Sequence, residues 1–211
     1  MEFLAHRGLW FHRNDRNTLA ALCKGLDEGY GLETDIRDLN GQLVISHDMP
    51  IDNVAIPLEK LLRYYTDGRF ASTLGLNIKA DGLQDKLNGQ LQDHNIKNYF
   101  VFDMSVPDTL GYLKLDMRTF IRRSDLEHYP ELAPRAQGVW LDELITPWID
   151  AETIMEQSRG MSDVCIVSGE LHGREYASQW AQIEGALNLG CPSERLLLCT
   201  DLPHEAERFF K

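Results

Sequence analysis

Glu33 and Asp35 stand two residues apart in an otherwise β-prone run, and Asn77 and Lys79 repeat that spacing further along the chain. On a strand, a spacing of two puts both side chains on one face, within ~7 Å of each other. Two carboxylates so placed repel and are poorly solvated. A hard divalent cation between them resolves the conflict, with oxygen-only ligands favouring Mg2+, Ca2+ or Mn2+ over zinc. Neutralisation by Arg37, Arg7 or Lys79 in a salt-bridge network is the alternative. Asn77 offers an amide oxygen as a third hard ligand, and the Lys79 ammonium suits a phosphoryl oxygen. His6 and His47 complete the set. Two imidazoles across a phosphorus centre can divide the work, one as base or nucleophile and the other protonating the leaving alkoxide.

These residues need a scaffold, and the chain alternates short β-branched or aromatic runs with helical patterns from end to end. That alternation is the signature of βα units and a parallel sheet. Strands are expected at Glu2 to Arg7, Leu32 to Arg37, Leu74 to Lys79, Tyr99 to Ser105, Thr119 to Arg122, Gly138 to Leu141, Val164 to Ser168 and Leu196 to Thr200. A first helix follows from about Asn17 to a stop at Gly29, with Ala21, Leu22, Gly25 and Leu26 on one face. Further helices are expected at Pro57 to Tyr65, Gly82 to Gln92, Ala151 to Arg159 and Glu175 to Leu187. The fold class is therefore α/β, a compact (β/α)8 TIM barrel forming a single domain over residues 1–211. An open doubly wound sheet would need a Gly-rich phosphate loop after the first strand, which His6-Arg7-Gly8 is not.

The strand ends collect polar groups: His6, Arg7, Glu33, Asp35, Asn77, Lys79, Asp103, Arg122, Asp142, Glu170 and Asp201. In a (β/α)8 barrel that rim carries the chemistry. Asn40-Gly41 marks a tight hairpin leaving the barrel after the second strand. If those two residues are the centre of the turn, His47 lies opposite Thr34, while Ser46 faces Asp35 and Asp48 faces Glu33. His47 would then point to the wrong face. A catalytic His47 requires either a bulge or an arm that has left the ladder before it.

Composition narrows the partners. Lys and Arg number 21 against 33 Asp and Glu, and the net charge of −12 opposes attraction to nucleic acid or an anionic membrane surface. No apolar run approaches the ~20 residues of a membrane span, and no signal segment is visible. Cys23, Cys165, Cys191 and Cys199 lie among apolar residues without CxxC or Cys/His spacing, which reads as reduced core thiols and a cytoplasmic location. The expected ligand is a small soluble molecule. Oligomeric state is left open.

Several of these pieces together resemble the glycerophosphodiester phosphodiesterases, a branch of the phosphatidylinositol phospholipase C-like (β/α)8 barrels. The matching residues are His6-Arg7-Gly8, Asn17-Thr18, Glu33-x-Asp35, the Asn40-Gly41 hairpin, His47-Asp48, Lys79 and Thr200-Asp201-x-Pro203. The resemblance implies His6 and His47 as the acid/base pair, Arg7 as a phosphate contact, Lys79 as the holder of the phosphoryl group, and Glu33 and Asp35 as ligands of Mg2+ or Ca2+. It also implies cleavage of a phosphodiester to an alcohol and a phosphomonoester. A deacylated lipid headgroup or a glycerol- or sugar-linked phosphate suits the acidic chain better than an intact lipid.

Two residues depart from the family pattern. Arg16 stands where the family usually has Glu before Asn-Thr, and Asn77 stands where it has Glu on the third strand. Three versions of the site follow. A cation is held by Glu33, Asp35 and Asn77, similar to the three-ligand sphingomyelinase D branch. Alternatively Arg16 replaces the cation, binding phosphate through its fork and giving a cyclic phosphate. In the third, the chain is a catalytically inactive module that binds phosphate esters.

Overall fold

The structure is a computed structural model that describes residues 1–211 apart from Asn53, Gly160 and Met161. The chain divides into two compact units, Ala5–Thr119 in one and Met1–Leu4 with Phe120–Lys211 in the other.

The first unit takes the end of β1 (Glu2–His6) and continues through α1 (Leu19–Asp27), β2 (Gly31–Leu39), β3 (Gln42–Ile45), β4 (Ile56–Pro57), α2 (Leu58–Asp67), β5 (Leu74–Ile78), α3 (Gln84–Asp93), β6 (Tyr99–Phe102) and α4 (Val106–Lys114). Strand β2 pairs in parallel with β5, and β5 in parallel with β6. Its other partner, β3, returns antiparallel with Ile36 opposite Ile45 and Leu39 opposite Gln42. The turn between them uses Asn40 and Gly41 at φ 49° and 78°, the left-handed pair that matches the twist of a two-residue hairpin. Thr18 caps α1 by accepting from Ala21 N, and the helix buries Ala21, Leu22, Gly25 and Leu26. The apolar positions of β2 and β5, Leu32, Ile36, Leu74 and Leu76, are also buried. In this way α1 and β2 are fixed by ordinary burial, which lets their polar residues be placed for chemistry.

The second unit runs through β7 (Phe120–Arg123), β8 (Gly138–Leu141), α5 (Ala151–Gln157), β9 (Asp163–Val167), α6 (Ala177–Asn188), β10 (Leu196–Thr200) and α7 (Pro203–Phe209). Its strands pair in parallel in the order β7, β8, β9, β10. A core including Leu141, Ile154, Val164, Ile166, Trp180, Ile183 and Leu198 is buried among them. All four cysteines are free thiols, three of them buried. Among the described residues no helix is long and apolar enough to cross a membrane.

Candidate active site

The chain leaves β1 through a turn of unusual backbone. Arg7 and Gly8 both take left-handed conformations, φ 57° and 87°. Glycine is demanded at position 8 twice over, because a Cβ there would also lie 2.6 Å from the Ala21 carbonyl carbon in α1. A left-handed arginine costs about 1–2 kcal/mol, and three hydrogen bonds hold the turn in place. Arg7 N donates to Glu33 O at 2.8 Å, Asn17 N donates to Arg7 O at 2.9 Å, and Leu9 N donates to Ala21 O at 2.8 Å. The turn is thus tied to both β2 and the approach to α1.

Asp35 is fully buried. Its Oδ2 lies 2.9 Å from Arg7 Nε and accepts from Asn17 Nδ2 at 2.8 Å. Asn17 is itself left-handed, φ 59°, and its Oδ1 accepts from Thr34 Oγ1 at 2.8 Å, which sets the amide orientation. Asp35 Oδ1 has no hydrogen bond, and Lys79 Nζ stands 3.7 Å away. Lys79 is drawn instead to Asp103, with Nζ 2.8 Å from Oδ2.

Glu33 is equally buried, one residue-pair further down the same face. Its Oε1 accepts from Asn77 Nδ2 at 3.1 Å, while Oε2 is left without a hydrogen bond, 3.8 Å from His6 Nε2. Burial pushes the Glu33 carboxyl upward and the Asp35 charge adds to that. His6, Arg7 and the Asn77 hydrogen bond oppose it. Asn77 pairs with Asp35 in the β2–β5 ladder, and its Oδ1 is also buried and without a hydrogen bond.

Glu33, Asp35 and Asn77 therefore share one arrangement. Each has one polar atom engaged in the protein and one oxygen left over. A buried oxygen in that state costs about 1–3 kcal/mol, and hard divalent cations take such oxygens as ligands. Among the described residues no three His, Cys, Asp or Glu side chains form a metal-ready group. Two carboxylates and an amide suit a hard cation rather than zinc. The salt-bridge alternative is also present in part: Asp35 faces Arg7 and Lys79, whereas Arg37 donates to His47 O at 3.0 Å and takes no share in it.

Strand β3 ends at Ile45, and Ser46 N still donates to Asp35 O at 3.0 Å. The register is the one expected from Asn40-Gly41, and the arm has left the ladder before His47, with no bulge needed. The His47 ring is half exposed, its Nδ1 2.8 Å from Asp48 Oδ1. That hydrogen bond, then the His47 charge, and more weakly Arg7 and Arg37, hold the Asp48 carboxyl below its usual value. Arg16 stacks its guanidinium 4.4 Å from the centre of the Trp10 ring, and Trp10 Nε1 donates to His6 O at 3.0 Å. Those contacts place Arg16 beside the turn that carries His6 and Arg7.

The contacts of two supporting residues escape a reading of the sequence. Asn17 stands just before the Thr18 cap of α1, but nothing in its position announces a bond to Asp35 or Thr34. Asp103 is visible as a strand-end acid, yet its pairing with Lys79 joins residues far apart in the chain. In the second unit the strand-end groups bond to one another. Asp142 lies 2.7 Å from His172 Nε2 and 3.8 Å from Arg122 Nη1, and Glu170 accepts from Asp201 N at 3.0 Å. Trp140 is buried, and the Trp148 indole donates to Asp142 O at 2.8 Å.

No family model and no curated protein matches the chain by sequence. Solved structures do match it over nearly its whole length. One is the crystal structure of a candidate glycerophosphodiester phosphodiesterase from Galdieria sulphuraria, with TM-score 0.78 and 14% identity, covering 99% of this chain and 97% of that one. An Oleispira antarctica phosphodiesterase in complex with the product sn-glycerol-3-phosphate gives TM-score 0.70 and 14% identity, over 99% and 96%. A glycerophosphodiester phosphodiesterase from Agrobacterium tumefaciens gives 0.67 and 18%, over 96% of both chains. At these identities the likeness establishes the fold: the chain has the α/β TIM-barrel fold of the glycerophosphodiester phosphodiesterases.

Proposed function

We propose that this protein is a phosphodiesterase that cleaves a small soluble phosphodiester, of the glycerophosphodiester or sugar-linked kind, to an alcohol and a phosphomonoester. One observation carries the proposal. Glu33 Oε2, Asp35 Oδ1 and Asn77 Oδ1 are buried without hydrogen bonds in a site that also holds His6, Arg7 and Lys79. The shared fold with a phosphodiesterase that holds sn-glycerol-3-phosphate supports it.

In this reading Glu33, Asp35 and Asn77 hold Mg2+ or Ca2+, which when bound neutralises charge on the non-bridging phosphoryl oxygens. Arg7, Lys79 and Arg16 present cationic donors to the phosphate. His6 and His47 share the proton transfers, one taking the proton of the attacking water and the other delivering one to the leaving alkoxide. Asp48, bonded to His47 Nδ1, orients that ring. The net charge of −12 keeps nucleic acid out of the substrate range.

Turnover of a glycerophosphodiester, read by release of its alcohol, tests the assignment. His6→Ala and His47→Ala are each expected to lower kcat by about 10²–10⁴-fold with the fold intact. Full activity in either variant would remove that histidine from the mechanism. The pairing of Asp35 with both Arg7 and Lys79 favours a second reading, in which Arg16 stands in for the cation and the product is cyclic. Arg16→Glu separates the two. It strengthens cation binding if the site is one ligand short, and abolishes turnover if Arg16 replaces the metal.

A further inference from the structure

Lys79 sits between two carboxylates and is held by only one of them. Its Nζ is 2.8 Å from Asp103 Oδ2 and 3.7 Å from Asp35 Oδ1. Coulomb attraction falls with distance, so in one medium the shorter contact is stronger by about a third. The other contacts around it make the longer one informative. Asp35 Oδ2 is already engaged by an ion pair with Arg7 and a hydrogen bond from Asn17, whereas Oδ1 has no hydrogen bond and is the oxygen open to a further ligand. A buried carboxylate oxygen without a hydrogen bond attracts an ammonium within reach, and a second carboxylate on that ammonium opposes the attraction. Asp103 is the group in place to do so. It follows β6 directly and takes a left-handed backbone, φ 71°, which aspartate tolerates better than most residues.

We propose that Asp103 is a positioning residue that holds Lys79 off Asp35 and so keeps Asp35 Oδ1 available to the divalent cation. The inference rests on the cation reading of Glu33, Asp35 and Asn77. Without Asp103 the Lys79 ammonium moves onto Asp35 Oδ1 and competes with the cation as an internal substitute. Asp103 does not touch the cation in this account, and its effect passes wholly through Lys79.

The test is a double-mutant cycle read by calorimetric titration of Mg2+, Ca2+ and Mn2+ into metal-free protein, with no substrate present. Asp103→Asn keeps the size of the side chain and its tolerance of left-handed backbone, and is expected to weaken cation binding at least tenfold. Adding Lys79→Met to that variant is expected to return the affinity to within about threefold of wild type, whereas Lys79→Met alone changes it far less. Charges acting independently at a distance would add, so the same gain from Lys79→Met in both backgrounds overturns the proposal. Unchanged affinity in Asp103→Asn overturns it too. If wild type itself binds none of the three cations, the underlying cation reading fails and the inference falls with it, an outcome visible before any variant is made. Should Asp103→Asn fail to fold, Asp103→Gly, which accepts the left-handed backbone freely, takes its place in the cycle with the same expected result.

Discussion

Arg7 joins backbone strain to charge. Its left-handed main chain donates to Glu33 O and accepts from Asn17 N, while its side chain neutralises a fully buried Asp35. Removing one partner of a buried ion pair leaves the other uncompensated, at a cost of about 3–5 kcal/mol. Arg7→Met is therefore expected to destabilise the metal-free protein by about that amount in urea unfolding. A change below 1 kcal/mol, roughly the worth of an exposed pair, would show that Asp35 does not depend on Arg7. The same residue would also contact phosphate, so it links the stability of the site to its chemistry. Glu33 is the converse case. Burial and the charge of Asp35 both push its carboxyl upward, and a cation at Oε2 would relieve both.

The elements matter for where they turn. At Gly8 the backbone passes so close to Ala21 that a methyl group would overlap the peptide of α1. Gly8→Ala adds that overlap to the strain of a positive φ, and is expected to cost about 1–3 kcal/mol in unfolding free energy and to lower turnover with it. An unperturbed variant would mean that the turn after β1 does not set the position of His6 and Arg7. The hairpin shows how much of this was legible in sequence. Asn40-Gly41 announced the turn type, and the turn set the register of β2 against β3, so the misplacement of His47 within a continued ladder was visible in advance. The end of pairing at Ile45, which releases His47 from that ladder, is a tertiary matter. The bounds of the parallel strands are legible to within two or three residues because such strands are runs of buried apolar residues, many of them β-branched or aromatic. Helix α4 is less legible, since Pro107 and Gly111 break its pattern, although Ser105 caps it and proline is well placed at a helix start. The Asn17–Asp35 and Lys79–Asp103 bonds leave no local trace, because each depends on where two distant elements meet and on a left-handed residue.

At the scale of the whole molecule, the fold is shared with glycerophosphodiester phosphodiesterases at 14–18% identity, while no family model matches the sequence. The alternation of strands and helices carries the fold, and few residues are needed for that. The site depends on specific residues, and the two departures at Arg16 and Asn77 fall there. A cation that binds the folded state alone raises its stability by about 2.7 kcal/mol at a hundred times its Kd. For a chain of this length that corresponds to a rise in Tm of about 5–10 °C, reversed by chelator. An unchanged Tm across millimolar Mg2+, Ca2+ and Mn2+ would speak against the cation site and for a site built on Arg7, Lys79 and Arg16 alone.

The most direct test of the central claim is phosphorus NMR of a glycerophosphodiester incubated with the wild-type protein, once with Mg2+ or Ca2+ and once with chelator. The expected result is a phosphomonoester resonance that grows with the cation and is absent with chelator. A cyclic phosphate forming in the presence of chelator would contradict the cation site, and an unchanged diester in both samples, from folded protein, would contradict the assignment as a glycerophosphodiesterase.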